Sequence, residues 1–174
     1  MLSIKKCAVP PQALLSKYLV DGTYTDSYRT EIQGQIPFAD YVFAFYTTTL
    51  FKTEAFILAH SIKRPSNDNQ AKELANGARN DFAAWQVEGR RDNELLMCDM
   101  SGRTRSWFMV IQIDSEHNKR TQLYFGSAVV PKTDQKTGKS SLGFVFSALL
   151  GFHKLYSILL LYFAKQKVIV LLHN

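Results

Sequence analysis

The order in which hydrophobic periodicities change along the chain constrains its fold more than any motif does. In 24–32 the large residues Tyr24, Tyr28 and Ile32 alternate with Thr25, Ser27, Arg29 and Glu31, the period-two pattern of a half-buried strand. Asp26, on the same face as the large residues, is the exception. About fifty helix-like residues follow, then four strand-like runs between Phe82 and Val130, then one apolar helix. That order predicts an α+β fold: a curved antiparallel sheet of about five strands or more, packed on a long C-terminal helix, with helices inserted after the first strand. A cavity between the concave sheet face and the helix is the expected place for a ligand.

The local signals divide the chain further. Pro10 to Leu19 carries Leu14, Leu15, Tyr18 and Leu19 at helical spacing, broken by Asp21 and Gly22. Pro37 suits a first helical turn, and Phe38, Tyr41, Val42 and Phe45 form one buried stripe behind it. Leu50, Glu54, Ile57, Leu58 and Ile62 predict a second helix that stops near Lys63, because Arg64 precedes Pro65. A third helix spans Asp68 to Ala75, capped by Asn67 or Asp68 and ended at Asn76 and Gly77. Strands are expected at Phe82–Arg90, Glu94–Met100, Arg103–Asp114 and Arg120–Val130, with Ser101 and Gly102 as a two-residue hairpin turn. The strand at 103–114 is apolar on both sides, so both faces of the sheet should be covered. Nothing divides the chain into two units, so 1–174 reads as one domain: an extension at 1–22, a core at 24–164 and a tail at 165–174.

Charge is distributed unevenly. No acidic residue follows Asp134, whereas Lys136, Lys139, Lys154, Lys165 and Lys167 all do, so the most apolar segment is also the most basic. Lysines near a helix C-terminus complement the macrodipole, which is the favoured reading; peripheral membrane contact is the less favoured one. The run 140–164 fails as a membrane span because His153 and Lys154 lie near its middle. Phe152, Tyr156, Leu159 and Phe163 form a spaced apolar stripe expected to face the sheet. Cys7 and Cys98 are too few and too far apart for a disulfide framework, and no continuous apolar signal core precedes Pro10, so a cytoplasmic location is expected.

The chemistry-bearing motifs are weak. Gly138, Lys139 and Ser140 resemble the end of a phosphate-binding loop, but Thr133 stands where its first glycine belongs. His60, His117, His153 and His173 show no metal-ligand spacing, and there is no nucleophile elbow, so no metal and no cofactor are expected. Arg90, Arg91, Arg103 and Arg105 lie near Trp85 and Trp107, but Glu88, Asp92, Glu94 and Asp99 nearly neutralise them, which argues against nucleic acid. The candidate cavity residues are Trp85, Glu88, Asp99, Arg105, Trp107, Tyr124, His153 and Tyr156. For the polar ones the favoured reading is a structural ion pair or a satisfied core group.

Four stretches together carry a resemblance: Phe82-Ala83-Ala84-Trp85 through Glu88, Gly102 to Trp107, Tyr124 to Ala128, and Leu150 to Ser157. They resemble an uncharacterised bacterial family, a domain of unknown function placed in the START/Bet v 1-like helix-grip superfamily. The resemblance covers most of Tyr24 to Tyr162 and brings no catalytic residue with it. It implies a cavity for a small hydrophobic or amphipathic ligand. Two alternatives stand beside ligand binding: a cyclase- or dehydratase-like enzyme using His153 with Asp99 or Glu88, and an interaction protein with no ligand whose tail at 168–172 docks on a partner.

Overall fold

The computed structural model describes residues 4–52, 67–114, 119–133, 140–142 and 144–173. It is an α+β fold built on a seven-stranded antiparallel sheet. In chain order the strands are β1 (Lys5–Lys6), β2 (Tyr24–Gln33), β3 (Asp81–Phe82), β4 (Trp85–Arg91), β5 (Glu94–Asp99), β6 (Thr104–Ile113) and β7 (Arg120–Val129). In space they run β1-β2-β7-β6-β5-β4-β3, so β2 closes against the last strand of this sheet, and two of the helices lie in the crossover between β2 and β3. Two short strands, β8 (Lys132–Thr133) and β9 (Ser140–Ser141), pair separately. The helices are α1 (Phe38–Tyr46), α2 (Asp68–Ala75) and α3 (Phe144–Leu172).

Several expectations are met with adjusted bounds. Asn67 caps α2 in a reciprocal box: its side chain accepts from Gln70 N at 2.9 Å while Gln70 Oε1 accepts from Asn67 N at 3.2 Å. The single strand expected at 82–90 is instead two, because the chain reverses at Ala83, whose φ is +50°. The turn after β5 is four residues, Met100 to Arg103, with Gly102 at φ +70°. The helix expected at 50–62 lies outside the described residues beyond Lys52. The expected tail at 165–174 is no separate element: α3 runs on to Leu172, since no glycine or proline interrupts it after Ala164.

Both faces of the sheet are covered, as the two-sided pattern of β6 requires. Phe108 and Val110 of β6 join Phe125 of β7 and Leu95 and Met97 of β5 under the helices. Trp107, Met109, Leu96, Tyr124 and Ala128 point the other way, onto Leu15 and the 3-10 turn at Leu14–Tyr18. Glu94, buried on that second face, holds the turn by accepting from Leu14 N at 2.5 Å, Trp107 Nε1 at 2.6 Å and Arg91 Nη1 at 3.0 Å. The aromatic richness of the sequence goes chiefly into the first face. Phe45 of α1 meets Phe108 edge-on at 4.6 Å and Phe125 at 5.0 Å, and Tyr46 lies 4.9 Å from Phe82. The volume between α1 and the sheet is thus occupied by rings.

Candidate functional site

Two features are candidates, one on each side of α3. The first is a polar node where α3 meets the sheet. Asp26 and Ser127 are register partners on β2 and β7, and both are buried. The Ser127 hydroxyl donates to Asp26 Oδ1 at 2.5 Å, Tyr24 OH donates to Asp26 Oδ2 at 2.9 Å, and His153 Nε2 of α3 lies 2.8 Å from Ser127 Oγ. The Tyr24 ring stands edge-on to the imidazole at 5.6 Å. Burial lowers the pKa of His153 while the Asp26 carboxylate works against it. Burial first, then the same carboxylate, raise the Tyr24 phenol, and they raise Tyr28 to about 12.

This trio contains serine, histidine and aspartate but not the geometry of a nucleophilic relay. With the serine proton given to Asp26, His153 is the donor at Nε2, and a ring that donates to the hydroxyl cannot take its proton. The carboxylate also lies 3.9 Å from that same Nε2 rather than on Nδ1, where a relay places it. What the node does is anchor α3 at a set rotation over β2 and β7.

The residues expected to line one cavity divide between the two faces. Trp85, Tyr156 and His153 lie on the helix side, the first two packed against the aromatic core. Trp107 and Tyr124 lie in the opposite cluster. Arg105, on the Trp107 side by alternation, bonds Glu88 Oε2 through Nε at 2.9 Å, and Glu88 also accepts from Tyr18 at 2.5 Å and pairs with Lys17 at 2.6 Å. The reason is a register shift between Val87 and Gly89, which inserts Glu88 as an extra residue in β4. Asp99 holds the hairpin turn, accepting from Arg103 N at 2.8 Å and Thr104 N at 2.9 Å. The pairing of His153 with Asp99 or Glu88 as acid and base is therefore corrected: the groups beside the imidazole are Asp26, Ser127 and Tyr24. One signal in the sequence marked this node, the carboxylate of Asp26 on an otherwise large-residue strand face.

The second feature is the outer surface of α3. Its inner side, Ser157, Leu160, Leu161, Ala164 and Val168, is buried against α1, β2 and β7. Stepping by 100° per residue, Phe152, Leu155, Leu159, Phe163, Gln166 and Val170 form a strip along the opposite side. Phe152 is 64% exposed, Leu155 55%, Phe163 43% and Val170 57%. The apolar stripe expected to face the sheet is thus corrected: Phe152 and Phe163 face solvent, and Tyr156, stacked on Phe152 at 6.0 Å, lies between. Within 150–172 the most apolar 18-residue stretch has a mean hydropathy of 1.7, yet only 28% of it is buried. Lys165 Nζ reaches Thr30 Oγ1 at 3.2 Å and Lys167 Nζ reaches Thr47 O at 2.5 Å, and burial lowers the pKa of both. These lysines tie α3 to β2 and to the C-terminal end of α1.

An open cleft of 290 Å³ lies between α1, α2 and the last turn of α3. Ala39, Phe43, Ala75 and Leu171 are its apolar lining, and Asp40, Lys72 and Asn76 its polar lining. Among the described residues no three of His, Cys, Asp and Glu converge as metal ligands would. No protein-family model matches the sequence, and no curated protein matches it either.

Proposed function

We propose that the protein is an interaction module that docks through the outer side of α3. One observation carries this reading: a helix apolar on every side is exposed along one of them. Such helices normally have all sides covered, and contiguous apolar surface rimmed by polar residues marks an interaction site. Fully covering a Phe, Leu or Val side chain contributes about 1.5–3 kcal/mol, so the four most exposed strip residues, already partly covered, offer on the order of 5 kcal/mol to whatever docks there. Cys7 and Cys98, both free thiols, fit a cytoplasmic setting for that contact.

The test is a variant carrying Phe152→Ser, Leu155→Ser and Phe163→Ser. A docking side predicts an unchanged urea midpoint together with lost retention on a phenyl matrix. A variant that unfolds in mild urea would make the strip part of the folded core and end the reading.

The cleft supports a second reading, the binding of a small amphipathic molecule with its chain along Phe43, Ala75 and Leu171 and its polar end at Lys72 or Asn76. Titration of a single-chain amphiphile, followed by amide shifts at the cleft and blocked in Ala75→Trp, is its check; shifts spread over the whole surface would count against it.

A further inference from the structure

We infer that the cleft between α1, α2 and the last turn of α3 is a site for a small zwitterion with an apolar side chain, the chemistry of a free aliphatic amino acid. The inference rests on the ligand reading of that cleft given above and replaces its single polar end by two opposite charges.

The cleft takes one stripe from each of two helices. Ala39, Asp40 and Phe43 come from the first half of α1, and Lys72, Ala75 and Asn76 from the second half of α2. Spacings of three and four residues put each set on one side of its helix. The two helices pack on each other, and Leu171 supplies the third wall. Phe43, Leu171 and Ala75, the last only 6% exposed, offer apolar surface between the polar groups.

Charge decides what fits. Asp40 stands in the first turn of α1 and Lys72 in the last turn of α2, so each lies at the helix end whose dipole favours its charge. The dipoles help hold both groups ionised without a counter-ion. Among the described residues neither side chain forms an ion pair, with the other or with any third group. One cleft thus presents a carboxylate and an ammonium that do not cancel by contact.

That combination disfavours an amphiphile with one charge. A fatty anion seated at Lys72 would share the cleft with the Asp40 carboxylate, and an alkylammonium seated at Asp40 would share it with Lys72. In a cleft of 290 Å³ the like charges meet within about one screening length, ~8 Å, so salt does not remove their repulsion. An α-amino acid answers both groups: its ammonium donates to the Asp40 carboxylate, and its carboxylate accepts from the Lys72 ammonium and the Asn76 amide. Its side chain then covers Phe43, Ala75 and Leu171. The volume suits a ligand of that size, since it stands at the small end of the roughly 300–1,000 Å³ usual for ligand clefts.

The experiment is a titration of the full chain with L-leucine, isocaproate and isoamylamine, followed by amide shifts. The second ligand is leucine without its ammonium and the third is leucine without its carboxylate. The expected result is shifts at Phe43, Ala75 and Leu171, blocked in Ala75→Trp, with leucine binding about three-fold or more tightly than either control. Asp40→Asn should abolish the preference for leucine over isocaproate, and Lys72→Gln the preference over isoamylamine. Equal binding of all three ligands at the cleft, or a preference that survives both substitutions, would overturn the zwitterion while leaving the amphiphile reading intact. No shift at the cleft with these ligands or with a single-chain amphiphile would remove both.

Discussion

Single residues decide what the polar groups of this protein are for. Ser127 joins a carboxylate to an imidazole across two elements, and its removal leaves Asp26 and His153 facing each other at 3.9 Å with no hydroxyl between them. Ser127→Ala should therefore cost about 1–3 kcal/mol in urea unfolding, although it deletes one oxygen. A change below a few tenths would mean the node does not hold α3. Glu88 is a second case. Burial alone would raise its pKa, but hydrogen bonds from Lys17, Tyr18 and Arg105 outweigh that and bring it from 4.5 to about 2. A carboxyl with a depressed folded-state pKa contributes stability above its unfolded value and loses it as pH falls toward the folded one. The stability difference between wild type and Glu88→Gln should be full above pH 5, shrink between 4.5 and about 2, and vanish below. A difference that stays constant across that window would show that the ion cluster adds nothing.

At the scale of elements, α3 is the one whose two sides have different fates. Leu161 is fully buried and Phe163, two residues on, is 43% exposed. Leu161→Ala should cost about 2–5 kcal/mol, whereas Phe163→Ser should change the unfolding midpoint little. Equal costs at the two positions would mean that the helix is rotated from the arrangement described. The strands give the contrasting case. Alternation along β2 and β6 was legible in the sequence, and the structure adds Asp26 as the exception with a purpose. The extra residue at Glu88 was not legible, because a bulge changes which face a side chain takes without changing the local pattern of residue types.

The whole molecule is a three-layer arrangement: helices, sheet, and a covering segment on the far face. Leu15 sits in a short 3-10 turn but is fully buried among Leu96, Trp107 and Ala128. Gly126 permits that closeness, since a Cβ there would lie 2.8 Å from both Leu15 Cδ2 and the Asp26 carbonyl. Leu15→Ala should destabilise the entire fold by about 2–5 kcal/mol in urea denaturation, and a loss under about 1 kcal/mol would place the segment outside the cooperative core.

By itself the sequence determined the α+β class, the order of the elements and the coverage of both sheet faces, because periods of 2 and 3.6 are written in local residue order. It could not determine the grouping of the polar candidates, since Glu88 and His153 are assigned to faces by a bulge and by helix docking. Nor could it determine which side of α3 is turned inward. A helix apolar on every side carries no preferred rotation of its own. The choice is made by contacts distant in the chain: His153 on Ser127, Lys165 on Thr30 and Lys167 on Thr47. Those contacts leave Phe152, Leu155, Phe163 and Val170 facing out, and exist only once the sheet has formed.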